Sequence, residues 1–408
     1  MKKQLLVLLI LLLGLTYYSY GQATDATPAF GVKWTGFVKT DYMFDTRQTT
    51  NSREGHFMIL PAPEKLVNGE DVNDQTNFNI LSIQSRLRAG ITGPDFFGMK
   101  TSGAIEADFF GNSGTGLDDV NGFRLRHAFV QLSNDKVEIL MGQFWHPMFV
   151  TAVFPDVYSF NTGVPFAPFS RNPQLRLTTK GKVKFIGVLF TERDFQTRGA
   201  SVSKSGMPQL HAQLQLGSVA NTLGGFGVNF KSARPDLGTD NVTSTAFIGY
   251  FRTKLGKATW KAEAVYGQNM SDILQIGGFG TAVNGDYVNN DTFSAWTEFN
   301  ADFSETMEWG IFGGYSKNSG FGETITNING FLISAERDPT KAGYWNSVES
   351  AFRIAPRIGW KSGKMKIGIE GEFTSAQYGS IDTSGDMNTT GIDAVNNFRL
   401  LTTAIYNF

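Results

Sequence analysis

Two arginine pairs spaced i and i+2, Arg86/Arg88 and Arg124/Arg126, and a third at i and i+4, Arg353/Arg357, are the residues best placed to act on another molecule. On an extended strand those spacings put side chains on one face, so each pair stacks its guanidiniums in a row. Such rows break no bonds. They attract anions by concentrating positive potential, or they pair with carboxylates opposite and stiffen a wall. Arg176 and Arg399 share this parity, as do Lys100 and Lys366, and Glu106, Asp108, Glu263, Glu298, Glu349, Glu370 and Glu372 supply the opposing charge.

Bond-making chemistry has less support. Hydrolysis needs a nucleophile beside a base, and none of the histidines, His56, His127, His146 and His211, neighbours one in sequence. Metal-ligand spacing, a phosphate-cradling glycine loop and a cofactor motif are all lacking, so the expectation is no enzyme, no cofactor and no metal. A net charge of −1 gives no reason to expect nucleic acid.

The elements that position these charges are strands. Candidate strands fall near 33–45, 77–92, 99–112, 121–133, 136–145, 173–180, 183–193, 208–218, 223–232, 242–254, 257–268, 292–304, 307–317, 344–361, 364–375 and 395–408. That makes sixteen, joined alternately by tight turns such as 134–135, 181–182 and 362–363 and by mostly long loops. In 208–218, Leu210, Ala212, Leu214 and Leu216 oppose His211, Gln213 and Gln215; in 257–268, Ala262, Ala264 and Tyr266 oppose Lys261 and Glu263. In 77–92 the apolar set is Leu81, Ile83, Leu87, Ala89 and Ile91. The strands 136–145 and 183–193 carry apolar residues on both faces, as expected at a subunit interface or beneath an inward-folded loop. After the first residues no stretch of about 18 apolar residues occurs, so spanning helices are excluded. Alternating faces, an even strand count and alternating short and long connections predict an all-β transmembrane antiparallel barrel. With no cysteine to staple it, closed hydrogen bonding must hold it together.

Both ends of the chain agree. Lys2 and Lys3, an apolar run from Leu5 to Leu15 and small residues near Gly21 predict a secretory leader over 1–21. A short periplasmic segment, 22–32, then precedes a barrel over 33–408. The last strand alternates and ends on Tyr406, Asn407 and Phe408, which resembles the carboxy-terminal signal read by the barrel-assembly machinery of Gram-negative bacteria. A multi-pass outer-membrane location follows, with outer-membrane lipids and lipopolysaccharide as neighbours.

The connection 146–172 stands apart, with four prolines, many aromatics and almost no charge. Leaving it in water would be unfavourable. It is expected to fold into the barrel and narrow it, bringing Phe154, Asp156, Tyr158, Phe160, Phe166, Phe169 and Arg171 to the constriction; packing on a neighbouring protomer is the alternative.

The strings 123–132 (FRLRHAFVQL), 141–145 (MGQFW) and 171–177 (RNPQLRL) resemble the DcaP-like outer-membrane porins, over about 55 residues. The resemblance implies a trimeric sixteen-stranded channel for small anionic solutes such as dicarboxylates, with Arg124, Arg126, Arg171 and Arg176 on matching positions. One departure is the coiled-coil extension of the family's type member. Only Gln22 to Val32 stand before the first strand here, so barrel walls alone would hold a homotrimer. The expectation is passive diffusion of small hydrophilic solutes with a preference for anions. A plugged structural or adhesive barrel with partner-binding external loops is the alternative.

Overall fold

A computed structural model describes residues 30–111, 122–333, 347–381 and 384–408. The expected leader, 1–21, and most of 22–32 lie outside the described residues. Sixteen antiparallel strands form one sheet: β1 (Gly31–Asp45), β2 (Asn77–Leu81 and Arg86–Phe96), β3 (Met99–Gly111), β4 (Gly122–Ser133), β5 (Val137–Trp145), β6 (Arg171–Thr179), β7 (Val183–Phe190), β8 (Gln209–Gly217), β9 (Thr222–Ala233), β10 (Val242–Leu255), β11 (Ala258–Gln268), β12 (Asp291–Asp302), β13 (Met307–Asn318), β14 (Ser347–Ser362), β15 (Met365–Ile381) and β16 (Val395–Asn407). Each pairs with the next, and β16 pairs back on β1, from Phe37↔Asn407 to Asp45↔Arg399. The sheet is a closed barrel, as the alternation predicts.

Closure leaves no unpaired edge, and the last residue takes part in it. Phe408 N donates to Gly36 O at 3.1 Å, and Gly36 N to Phe408 O at 3.2 Å. The alternation sets what each strand shows. On β8, Leu210 and Leu216 are exposed while Gln209, His211, Gln213 and Gln215 are buried. The same outward set of exposed apolar side chains continues round the wall, including Tyr42, Ile105, Leu125, Leu175, Phe226, Phe247, Phe293, Ile354, Ile369 and Leu400. An apolar belt encircling a closed sheet is a surface built for lipid.

Two details depart from the alternation. The backbone leaves strand geometry between Leu81 and Arg86, which resets the phase, so Ile83 is buried in the interior with Leu81 against it. A bulge at Val348/Ser350 does the same on β14. Val348 is buried in the interior, and Glu349, expected on the lumen wall, instead pairs at 3.3 Å with Lys317, which shares a parity with exposed Tyr315. A bulge adds one residue and turns the next side chain to the other face.

The interior is divided along its length. At the loop end, segments 57–61, 146–170, 270–276 and 325–333 pack with inward residues such as Ile248, Val265, Trp296, Phe312, Ala355 and Ala376 into one hydrophobic core. At the turn end lies a cavity of about 800 Å³. Segment 146–170 is the boundary between them. Its residues account for the two ambiguous strands: Trp145 of β5 stacks on Phe149 at 4.0 Å, and Phe190 of β7 meets His146 edge-on at 4.8 Å.

Candidate functional site

The cavity has a floor of loop residues and two unlike walls. Phe154, Asp156, Tyr158, Phe160 and Phe169 all line it. Phe166 does not; its ring lies under the Arg353 guanidinium, at 5.4 Å, and against Gly314. Arg171 is buried behind, donating to Asp194 at 2.5 Å and stacking over Trp145 at 5.2 Å.

The first wall comes from β2 to β4, where register places charges face to face. Arg86 stands opposite Asp108, Arg88 opposite Glu106 and Arg124 opposite Asp108. A bulge between Glu106 and Ala107 adds Arg126 to the same face. Glu106 is shared by Arg86 at 3.6 Å, Arg88 at 3.2 Å and Arg126 at 2.8 Å. Asp108 is shared by Arg124 and Arg126, each at 2.9 Å. Asp194, from the loop after β7, takes Arg171 and lies 3.9 Å from Arg124. Burial alone would raise the Asp194 carboxyl, but Arg171 and Arg124 outweigh it and hold it below its ordinary value. Five guanidiniums therefore meet three carboxylates. The surplus falls on Arg86 and Arg88, whose side chains are 21% and 36% exposed, against 2% for Arg126.

The second wall, from β11 to β15, is balanced and grips the loop. Glu298 accepts the Asp156 amide at 2.8 Å, Glu370 accepts those of Tyr158 at 2.7 Å and Ser159 at 3.0 Å, and Glu372 accepts Asn161 Nδ2 at 2.7 Å. Cations take the carbonyls: Lys261 donates to Phe154 O at 3.1 Å and Arg353 to Val164 O at 2.9 Å, and from β1 Lys39 donates to Tyr158 O at 2.7 Å. Arg357 is held against Glu298. The expected lumen charges thus divide into those that face the cavity and those that hold the loop.

Of the remaining expected residues, Arg176 donates to Gln174 Oε1 at 2.9 Å and Trp145 O at 2.8 Å. Arg399 is bidentate to Asp45 and reaches Gly55 O, joining the closing seam to the first loop. Neither lines the cavity. Lys39, Lys261 and Asp194 are functional neighbours that the arginine spacing did not single out. The inward parity of Lys39 and Lys261 was readable; Asp194 lies in a loop, where no periodicity marks it.

Tyr158 is the lowest point of the loop. Its hydroxyl donates to Glu308 at 2.7 Å, and its ring lies on Gly359 and Gly368, which face each other across β14 and β15. A Cβ at Gly368 would occupy the space of the ring. Gly368→Val should therefore lift Tyr158 and widen the cavity, read as a larger single-channel conductance with unchanged barrel content by circular dichroism.

Among the described residues no group of acidic, histidine or cysteine side chains is arranged to hold a metal. The four histidines are engaged in packing: His56 with Asp41, His127 between Phe144 and Trp145, His146 accepting from Met148 N at 3.1 Å, and His211 with Gln213 at 3.1 Å.

No family model matches the sequence, and no curated relative does. Solved structures do match. The outer-membrane channel DcaP of Acinetobacter baumannii superposes with a TM-score of 0.70 at 16% identity, covering 95% of this chain and 99% of that one. An anion-selective porin from Comamonas acidovorans follows at 0.56 and 12% identity, covering 93% and 100%. A trimer form of OmpT from Vibrio cholerae gives 0.52 at 11%, with the same coverage. At such identities the likeness is one of fold. With the lipid-facing belt and the closed sheet, it gives this chain a multi-pass β-barrel of the porin fold, similar in layout to DcaP.

Proposed function

We propose that the chain is a passive diffusion channel for small hydrophilic solutes that favours organic anions, with dicarboxylates the best-fitting class. One observation carries the reading: five guanidiniums share three carboxylates in and behind one wall of the cavity, and Arg86 and Arg88, which divide Glu106 with Arg126 and line the cavity, are the most exposed of the five. The opposite wall is neutral, so the field across the cavity points one way and selects by sign. Two adjacent guanidiniums suit a solute with two carboxylates, each able to accept a bidentate bond. The loop narrows the lumen between the walls. Neither a nucleophile–base pair nor a cofactor is part of this reading, and the protein is not an enzyme.

Several further assignments belong to it. Residues 1–21 are the leader, and the periplasmic lead-in expected over 22–32 gives way to β1 at Gly31, which already pairs with Thr92. Tyr406 and Phe408, both exposed on the final strand, are the signal for the assembly machinery. The barrel associates as a homotrimer through its walls, as the trimer form of OmpT illustrates for the fold.

A second reading has its own support. The hydrophobic core at the loop end suits a plugged barrel whose external loops bind a partner. Planar-bilayer recording under a salt gradient separates the two: current steps with an anion-selective reversal potential are expected, steps selective for cations would reject the role of Arg86 and Arg88, and silence from folded protein would favour the plug.

A further inference from the structure

Lysine and arginine are used at different depths of this barrel. The arginines of the strands sit within the wall, each against carboxylates, carbonyls or rings, as do the buried Lys39, Lys231 and Lys261, whereas a further set of lysines gathers where the short turns lie. Lys33, Lys180, Lys182, Lys184, Lys254 and Lys257 all fall within a few residues of that rim. By the alternation of their strands they stand on the inward side: Lys184 precedes outward-facing Phe185, Lys254 precedes exposed Leu255, and Lys257 lines the cavity itself. Among the described residues none of the six has a carboxylate within ion-pair distance. Lys100, Lys361 and Lys366, on the same rim, are paired with Asp95, Asp302 and Glu308.

The other end carries the opposite charge. The described external segments, 46–76, 191–208, 234–241, 269–290, 319–333 and 384–394, hold fourteen carboxylates against seven cations. The barrel is thus polarised along its axis as well as across it. Short turns of outer-membrane barrels face the periplasm, so the positive mouth is the periplasmic one.

We infer that this lysine-lined mouth is a second anion station, at the turn end of the cavity that Arg86 and Arg88 also line, that takes polyvalent oxyanions of the phosphate class from the periplasmic side. Lysine is suited to it. Its ammonium is a mobile point charge that meets an anion in many geometries, where arginine demands a fixed fork. Unpaired lysines ringing a mouth raise the local concentration of counter-ions without holding any one tightly. This rests on the channel reading for its role in transport but not for the binding itself, which needs no ion flow.

The test uses the full folded barrel in zwitterionic detergent, titrated with tripolyphosphate by isothermal titration calorimetry. Binding is expected in the native protein and should weaken by about tenfold or more in the triple variant K182Q/K184Q/K257Q. Among the described residues none of the three side chains makes a hydrogen bond or ion pair, and heat-resistant migration on gels verifies folding. The R86Q/R88Q protein should lose much less affinity than the lysine variant. Absence of binding, equal loss in both variants, or equally tight displacement by short-chain phosphatidylglycerol would each overturn the inference, the last by assigning the lysines to lipid headgroups. In a bilayer, tripolyphosphate should block current from the turn side only; block of equal strength from both sides would also overturn it. A native channel that proves cation-selective while still binding tripolyphosphate would reject the proposed function and leave the lysine station standing.

Discussion

Arg86→Glu combined with Arg88→Glu should turn the channel from anion-selective to cation-selective, with the reversal potential under a salt gradient changing sign. The two side chains share one carboxylate, Glu106, with a third guanidinium, so replacing them changes a net positive wall into a strongly negative one. Both are partly exposed, and two new carboxylates there keep access to water. The neighbouring position behaves otherwise. Arg126 is buried between Glu106 and Asp108, and Arg126→Glu would place three carboxylates together without a solvent path. Breaking a buried pair costs about 3–5 kcal/mol, so that variant should fail to reach the heat-resistant folded form. An unaltered reversal potential in the folded double variant would remove Arg86 and Arg88 from the pore.

Glu370→Ala should release the loop and raise single-channel conductance severalfold, with noisier open states. Glu370 accepts two buried main-chain amides, from Tyr158 and Ser159. Leaving a buried donor unsatisfied costs about 1–3 kcal/mol, and two such donors together outweigh the apolar contacts of a short loop tip. The conductance of Asn161→Ala, which removes one side-chain bond to Glu372, should change much less. Equal conductance in Glu370→Ala and the native channel would mean the loop is held by its aromatic contacts instead.

Alternation made the barrel legible. A strand with lipid on one side and a lumen on the other carries a strict two-residue period, and that period survives in β8 and β11 because every side chain there meets one solvent or the other. Where the backbone breaks register the period misleads. The interruption at 82–85 and the bulge beside Glu349 each shift the phase by a residue, and nothing in residue type marks either place. The arginine rows were legible as a set, since their spacing alone puts them on one face. Their division into exposed and committed members was not, because it depends on which strands the 146–170 loop lies against. Asp194 shows the same limit: it completes the pairing of Arg171 from a loop with no periodicity. Hydrophobicity on both faces of β5 and β7 did carry a tertiary signal, since it marked the wall beneath that loop.

The wall grips the loop chiefly by its main chain, with carboxylates on amides and cations on carbonyls. A hold of that kind does not read side-chain identity. Phe154, exposed at the cavity, is therefore open to exchange while the strap stays in place, and a lineage, or an engineer, could retune what the channel admits by altering the strap's ornament without rebuilding its fastening. Selectivity and scaffold are in this sense separately heritable.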